Sequence, residues 1–208
     1  MYLYTSSGTT ASTPTWEGTL TMPQYIAQKF VASTPKQEVI GQLAMSNFQN
    51  ILHSEIDPLL EKHDLVGLKP DQWYSHQNVL NLYRDIESGK TNVTDNLVAI
   101  GTKGVDNVVL PPEMQSLDAI LSAQTIMYQL NLRPIAEGEG LFPVKISDNH
   151  YQIRMNAPYP VDLMYGFYWA LINRFRPQGA SFKVQVVDNP HPDTEPGTIY
   201  DITWTQAN

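Results

Sequence analysis

The chain has 208 residues, of which 42% are hydrophobic and 16% are charged, a composition that predicts a globular fold. Its net charge of −8 disfavours a nucleic-acid partner and docking on anionic lipid, because both need a basic surface. The absence of cysteine excludes disulfides and cysteine-ligated metals. Residues 1–4 lack the pattern of a secretory signal, and the longest apolar run, over residues 163–172, is too short to span a bilayer, so we expect a cytoplasmic protein.

The N-terminus has a composition unlike the rest of the chain. Residues 5–15 are rich in serine and threonine, which predicts a flexible arm over residues 1–18. A single folded domain is expected over residues 19–208. The composition favours a disordered tail, and the alternative is an arm that becomes ordered on a partner through Tyr2, Leu3, Tyr4 and Trp16.

Helical spacing of apolar residues dominates the first two thirds of the chain. Ser75 can cap one of these helices. Pro58 predicts a break in the chain's second helical region, and Gly101 and Gly104 predict the end of another helix. The predicted helices cover residues 22–31, 35–52, 56–60, 75–87, 94–100 and 113–132.

The last third of the chain alternates between strand and helix patterns. Tyr151, Ile153 and Met155 alternate with polar residues, as in a half-buried strand, and Pro158 and Pro160 end that strand. The block comprises a strand from residue 142, a hairpin turn at 147–150, a strand over 151–156, a helix over 161–175 and strands at 182–186 and 200–204. We therefore predict an α+β fold, with N-terminal helices packed on one face of a four-stranded antiparallel sheet and a β-β-α-β-β C-terminal block.

Catalytic and metal-binding patterns are not found in the sequence. No pair of histidines has the spacing of a His-Glu-x-x-His site, and no Gly-x-Ser-x-Gly turn occurs. Residues 137–140 are interpreted as an acidic, flexible linker. The histidines are interpreted as solvated surface residues; they are His53, His63, His76, His150 and His191. We therefore predict no catalytic residues and no metal ligands, and a non-enzymatic role is favoured.

Aromatic residues concentrate in the helix over residues 161–175, and they suggest a pocket between this helix, the sheet and the helix over residues 113–132. Phenol and indole groups suit a pocket because they combine apolar area with a polar group. The alternative is that this helix is central and buried on both sides. Arg154 is a candidate to contact an acidic ligand group, and its alternative position is the solvent face of its strand. The candidate ligand-binding residues are Tyr159, Tyr165, Tyr168, Trp169, Met127 and Arg154.

Residues 70–204 resemble a superfamily that contains haem nitric-oxide-binding (H-NOX) domains, 4-vinyl-reductase-type small-molecule-binding domains and Bet3-type TRAPP subunits. The resemblance rests on the strand and Pro-Tyr-Pro turn at residues 150–160, on Leu163-Met164-Tyr165-Gly166 and on residues 173–177. Trp73-Tyr74 and Ile100-Gly101 resemble upstream elements of H-NOX-related bacterial proteins. The resemblance implies an H-NOX-like fold.

The residues that hold haem in the H-NOX family are not matched. The family's proximal histidine lies on the helix before the sheet, where this chain has Leu121 or Ser122. The family's Tyr-x-Ser-x-Arg propionate motif aligns near Met155, Ala157 and Tyr159, and none of the three matches. The resemblance therefore implies the fold without conventional haem binding, and the cofactor is unknown.

Two functional hypotheses follow from the resemblance. The first is a small-molecule-binding or sensor domain that holds an apolar or tetrapyrrole-like molecule between helices and sheet. The alternative is an interaction or assembly subunit, as in the Bet3-type relatives, that forms a homodimer or a larger protein complex. An enzyme acting on a tetrapyrrole is less favoured, because the sequence offers no clear reductant or general acid.

Overall fold

The computed structural model describes residues 25–49, 51–91, 93, 95–106, 108, 110, 114 and 116–205. The arm predicted over residues 1–18 and the start of the first predicted helix lie outside the described residues. No helix in the described part of the chain is long and apolar enough to cross a membrane. In chain order the elements are β1 (Glu38–Ile40), α1 (Gly41–Ser46), α2 (His53–Lys62), β2 (Trp73–Ser75), α3 (His76–Glu87), α4 (Leu97–Asp106), α5 (Leu117–Ser122), α6 (Gln124–Asn131), β3 (Leu132–Arg133), β4 (Gly140–Ser147), β5 (His150–Asn156), α7 (Val161–Phe175), β6 (Phe182–Val187) and β7 (Thr198–Trp204).

The C-terminal block forms a four-stranded antiparallel sheet with the strand order β4-β5-β7-β6. Tyr151 lies opposite Ile202, which in turn lies opposite Val184, so one apolar row crosses three strands. These residues are buried in the same hydrophobic cluster as Leu171 of α7 and Leu121 of α5. The α+β fold predicted from the sequence, with helices on one face of this sheet, is confirmed.

A second, three-stranded sheet has the order β2-β1-β3, and the sequence analysis did not predict it. Residues 38–40, assigned to a long helix over residues 35–52, instead pair with Trp73–Ser75 and Leu132–Arg133. That helix prediction is wrong, because the apolar spacing also fits a short buried strand followed by the six-residue helix α1.

Other predicted helix boundaries are also corrected. Among described residues 25–31 there is no helix, and Phe30 has a φ of 65°. Helix α2 contains Pro58 in its interior, so the predicted break is wrong; the proline leaves only the carbonyl of the exposed Ser54 without its helical partner. The helix predicted over residues 113–132 is divided into α5 and α6 at Ala123, where ψ is 0°.

Helices α4 and α7 cross with their backbones in direct contact. A β-carbon at Gly101 would overlap the Leu163 carbonyl oxygen and lie 2.9 Å from the Phe167 nitrogen. A β-carbon at Gly166 would overlap the carbonyl oxygen of Val98. The prediction that Gly101 ends its helix is therefore wrong: the glycine is helical, and its missing side chain allows the two helices to approach.

We expect Gly101→Ala to lower the free energy of unfolding by about 1–3 kcal/mol, since the rigid backbone of α7 cannot yield to the added methyl group. Gly104→Ala, three residues further along α4, is the matched control. Its β-carbon would overlap the Asn47 side-chain oxygen and lie 3.2 Å from Asn47 Cγ, and this side chain, unlike a backbone carbonyl, can move; both exchanges gain helix propensity. Urea unfolding of both variants checks this, and an equal loss in the two would contradict it.

Candidate functional site

A cavity of about 180 Å³ lies where two hydrophobic clusters meet. The N-terminal cluster includes Leu80 and Ile100, the sheet cluster includes Ile153 and Leu171, and Tyr159 packs against both. Most of the lining is apolar. The lining residues are Val39, Gln42, Leu43, Ala44, Ser46, Asn47, Val79, Tyr83, Gly104, Val108, Gln124, Met127, Tyr128, Asn131, Leu132, Leu141, Tyr159, Leu163, Met164 and Phe167.

Tyr159 is held in the cavity wall by the turn between β5 and α7. Pro158 and Pro160 flank it, and Pro160 is the N-terminal cap of α7, so the backbone is restricted on both sides. Three rings surround that of Tyr159, with centroids at 5.3 Å for His76, 6.4 Å for Tyr128 and 6.5 Å for Tyr83. The side chain therefore connects the helical and sheet-bearing parts of the structure.

A buried polar cluster lies beside the cavity and is centred on Glu139. Tyr128 donates its hydroxyl proton to Glu139 Oε1 at 2.6 Å, and Gln37 donates from Nε2 to the same oxygen at 2.8 Å. The amide of Ala136 donates to Glu139 Oε2 at 3.0 Å. Both oxygens act only as acceptors, which is the hydrogen-bonding pattern of a carboxylate.

His76 extends this cluster. Its Nδ1 lies 2.8 Å from Gln37 Oε1, and because an amide oxygen can only accept, Nδ1 carries the proton. The other ring nitrogen, Nε2, is buried without a hydrogen-bond partner among the described residues. Burial lowers the pKa of His76 from 6.5 to about 3, so the imidazole is neutral near pH 7.

Two of the six candidate ligand-binding residues line the cavity. Tyr159 reaches it from the turn before α7, and Met127 reaches it from α6. The amide of Gln124, one turn before Met127, lies 3.9 Å from the methionine sulfur. The two candidates therefore face the same space from different parts of the sequence.

The three aromatic candidates within α7 lie away from the cavity lining. Tyr168 is fully buried and packs on Tyr200, with ring centroids 5.0 Å apart. Trp169 is 41% exposed and packs on Phe182 at the sheet edge. Tyr165 is half-buried against the sheet cluster. On α7, the residues that face the cavity are instead apolar and belong to the helix's first two turns.

Arg154, the sixth candidate, lies on the face of the sheet opposite α7, since it alternates with the buried Ile153. Its guanidinium stacks 4.3 Å from the ring centroid of Phe142 and donates to the Pro196 carbonyl at 2.9 Å. It therefore holds the loop before β7 against the sheet.

Sequence reasoning missed the two central members of the polar cluster. His76 was assigned to the surface, and that assignment is wrong because the residue is fully buried. Its spacing of three and seven residues from Val79 and Tyr83 places it on the buried stripe of α3, a pattern that could have revealed it. Glu139 was assigned to a flexible linker, which is also wrong; it is only 5% exposed, and no local pattern in the sequence indicates this.

No protein-family model matches the sequence, and no curated protein matches it. Solved structures of H-NOX domains are similar in fold. An S. oneidensis H-NOX protein in the Fe(II)NO state is 12% identical, with a TM-score of 0.56 over 79% of this chain and 99% of its own. An unliganded Fe(II) H-NOX mutant from K. algicida is 12% identical, with a TM-score of 0.54 over 81% of this chain and 97% of its own.

A third structure is an oxygen-binding H-NOX domain related to soluble guanylate cyclases, in its oxygen complex. It is 11% identical, with a TM-score of 0.55 over 81% of this chain and 93% of its own. The resemblance to H-NOX domains inferred from the sequence is thus confirmed at the level of the fold. The resemblance to 4-vinyl-reductase-type and Bet3-type proteins stays a prediction.

The lining residues do not fit a haem held as the resemblance would imply. They include no histidine or cysteine for an axial bond and no lysine or arginine for propionate groups. Burial, with Tyr83 and Glu139 nearby, raises the pKa of Tyr159 well above its usual value, which disfavours a phenolate ligand. Leu121 and Ser122, at the expected ligand position, do not line the cavity.

The buried His76 predicts a stability that falls with decreasing pH. The unfolded chain takes up a proton near pH 6.5 and the folded chain only near pH 3, so the free energy of unfolding should fall by up to about 1.4 kcal/mol per pH unit below 6.5. The lowered pKa values of Asp85, Asp118 and Asp201 add to this loss only below about 3.8.

Urea unfolding between about pH 7 and pH 4.5 measures this slope. His76→Gln keeps a polar side chain without a titrating group, and we expect a clearly shallower slope in that variant. The same slope in wild type and variant would show that His76 is not its source.

Proposed function

We propose that this protein is a small-molecule-binding domain with an H-NOX-like fold, and that its ligand occupies the cavity between the two hydrophobic clusters. The observation that carries the proposal is the mainly apolar, half-open cavity of about 180 Å³ between the two hydrophobic clusters. Natural cores have few voids larger than a water molecule, because an unfilled void forfeits dispersion contacts. A cavity of this size is therefore better explained as a binding site.

The size and lining support a small apolar ligand. An apolar cavity of about 150 Å³ can stay free of water and admit benzene, so the space here suits a single ring or a short branched chain. Pockets for larger ligands are typically about 300–1,000 Å³. We propose a ligand smaller than a haem. The alternative is a tetrapyrrole-like ligand, which would fit only if the cavity became larger.

The similar structures support a sensing role. The S. oneidensis neighbour holds nitric oxide on iron and another neighbour is an oxygen complex, so this fold serves small-ligand binding elsewhere. In the present chain, Tyr159 would respond to a ligand bound in the cavity, because its side chain lines the cavity and packs against both clusters. The ligand would thus bear on the boundary between the helical and sheet-bearing parts.

The experiment uses benzene as the probe and the methyl NMR signals of Met127 and Met164, both in the lining, as the readout. We expect benzene to shift both signals in the wild-type protein. Ala44→Leu should abolish the shifts, because Ala44 is buried in the cavity wall and the larger side chain fills the space.

Ala99→Leu is the control, since it makes the same exchange at a half-buried position of α4 that does not line the cavity. It should bind benzene as the wild-type protein does. Unchanged methyl signals in the wild-type protein at saturating benzene would contradict the proposed function. Equal shifts in all three proteins would show that benzene binds elsewhere.

A second candidate function is that of an assembly subunit, favoured by an apolar surface at the β6 edge of the sheet. Trp169 is 41% exposed and Val186 is 46% exposed, and Phe182 packs beside Trp169. Exposed aromatic residues beside an unpaired strand edge are typical of interaction surfaces. This surface is separate from the cavity, so the two functions are compatible.

If the protein self-associates through this surface, Trp169→Gln should raise the dissociation constant of self-association by about tenfold or more, as the loss of a hot-spot residue does. Ile126→Gln, at another exposed apolar position, should not. Analytical ultracentrifugation over a range of micromolar concentrations measures both. A wild-type monomer at every concentration would rule out self-assembly.

A further inference from the structure

We infer that the cavity selects a neutral ligand that carries a hydrogen-bond acceptor, such as a ketone, and that it rejects anions such as carboxylates. The inference rests on the proposed function, because it specifies the ligand of the same cavity. It follows from two features of the wall: the hydroxyl groups of Tyr83 and Tyr159, and the uncompensated carboxyl group of Glu139 behind Tyr128.

The charge of the wall is unfavourable to anions. The cavity lining contains no lysine, arginine or histidine. Glu139 lies just behind it, with its carboxyl group bonded to Tyr128 at 2.6 Å. Among the described residues, Glu139 forms no ion pair with a lysine or arginine. This covers every lysine and arginine of the chain, because all 13 fall within the described ranges.

An anion entering the cavity would therefore lose its hydration, meet no cation and approach a carboxylate. Each of these costs free energy, and burial strengthens the repulsion because the interior screens charge poorly. Tetrapyrroles with free propionates fall into the rejected class. A neutral molecule avoids all three costs and still gains from burial of its apolar surface.

Two phenols in the lining can donate a hydrogen bond to a ligand. The Tyr83 hydroxyl accepts from Asn47 Nδ2 at 2.9 Å, which leaves its own proton free to be donated. The Tyr159 hydroxyl forms no hydrogen bond with any described residue. Burial raises the pKa of both phenols, so both keep their protons near neutral pH.

Three of the four amide side chains of the lining are engaged with the protein, and the fourth, that of Gln42, belongs to an exposed residue. Gln124 donates from Nε2 to the Ile120 carbonyl at 3.1 Å, and Asn131 donates from Nδ2 to the Met127 carbonyl at 2.6 Å. Asn47 is bound to Tyr83, as described above. The two phenols are therefore the lining donors best placed to receive a ligand's acceptor group.

The test uses three probes of nearly identical shape: cyclohexyl methyl ketone, isopropylcyclohexane and cyclohexanecarboxylate. The ketone is neutral and accepts a hydrogen bond, the hydrocarbon is neutral and does not, and the carboxylate is anionic. Dissociation constants near pH 7 come from the methyl signals of Met127 and Met164. We expect the ketone to bind most tightly, the hydrocarbon about threefold to tenfold more weakly, and the carboxylate at least tenfold more weakly than the ketone.

Tyr159→Phe should weaken ketone binding more than hydrocarbon binding and so reduce the preference for the ketone over the hydrocarbon. Tyr165→Phe is the matched control, because this tyrosine lies outside the cavity lining, and it should keep the preference. Glu139→Gln should reduce the difference in affinity between the ketone and the carboxylate. If that variant does not fold, the comparison of probes on the wild-type protein still decides the charge selectivity.

The outcomes separate this inference from the proposed function. Binding of benzene together with equal affinity for all three probes would overturn the inference and leave the proposed function in place. Carboxylate binding as tight as ketone binding would overturn the exclusion of anions. A ketone preference that survives in both Tyr159→Phe and Tyr83→Phe would overturn the role of the phenols. Failure of every probe, including benzene, would overturn the proposed function and the inference with it.

Discussion

The backbone contact between α4 and α7 is the constraint on which the rest of the structure depends. Gly101 and Gly166 allow the helices to touch, and Thr102 Oγ1 lies 3.4 Å from the Gly166 carbonyl at the crossing. Arg174 donates to the Val105 carbonyl at 2.7 Å and so fixes the other end of the pair. Because α4 belongs to the helical part of the chain and α7 covers the sheet, this crossing sets the separation of the two hydrophobic clusters.

The cavity follows from that separation. Residues of α1, α6 and the start of α7 line the space between the two clusters, and side chains do not fill it. A buried polar cluster beside a void is costly to maintain, since Glu139 must be satisfied by neighbours rather than by water. Its three hydrogen bonds accomplish this, and they also fix Tyr128 in the wall and Gln37 behind it.

The sequence predicted the C-terminal block well because its information is local. Tyr151 and Ile153 alternate with polar residues, and the prolines around Tyr159 mark the end of the strand without reference to any distant residue. The strand at residues 38–40 was missed because its partners are about 35 and 95 residues away, and alternation over three residues is not diagnostic. The cavity and the burial of Glu139 could not be predicted, since both arise only when distant segments pack together.

The position of the cavity at the junction of two clusters would also give a ligand bound there, as proposed, a thermodynamic role beyond recognition. A molecule bound only by the folded chain stabilises it in proportion to the logarithm of its concentration above the dissociation constant, by about 2.7 kcal/mol at a hundredfold excess. Net stabilities of domains are only about 5–15 kcal/mol, so this is a large share. The lifetime of the protein in a cell would then follow the supply of its ligand, and abundance itself would become a readout of that supply.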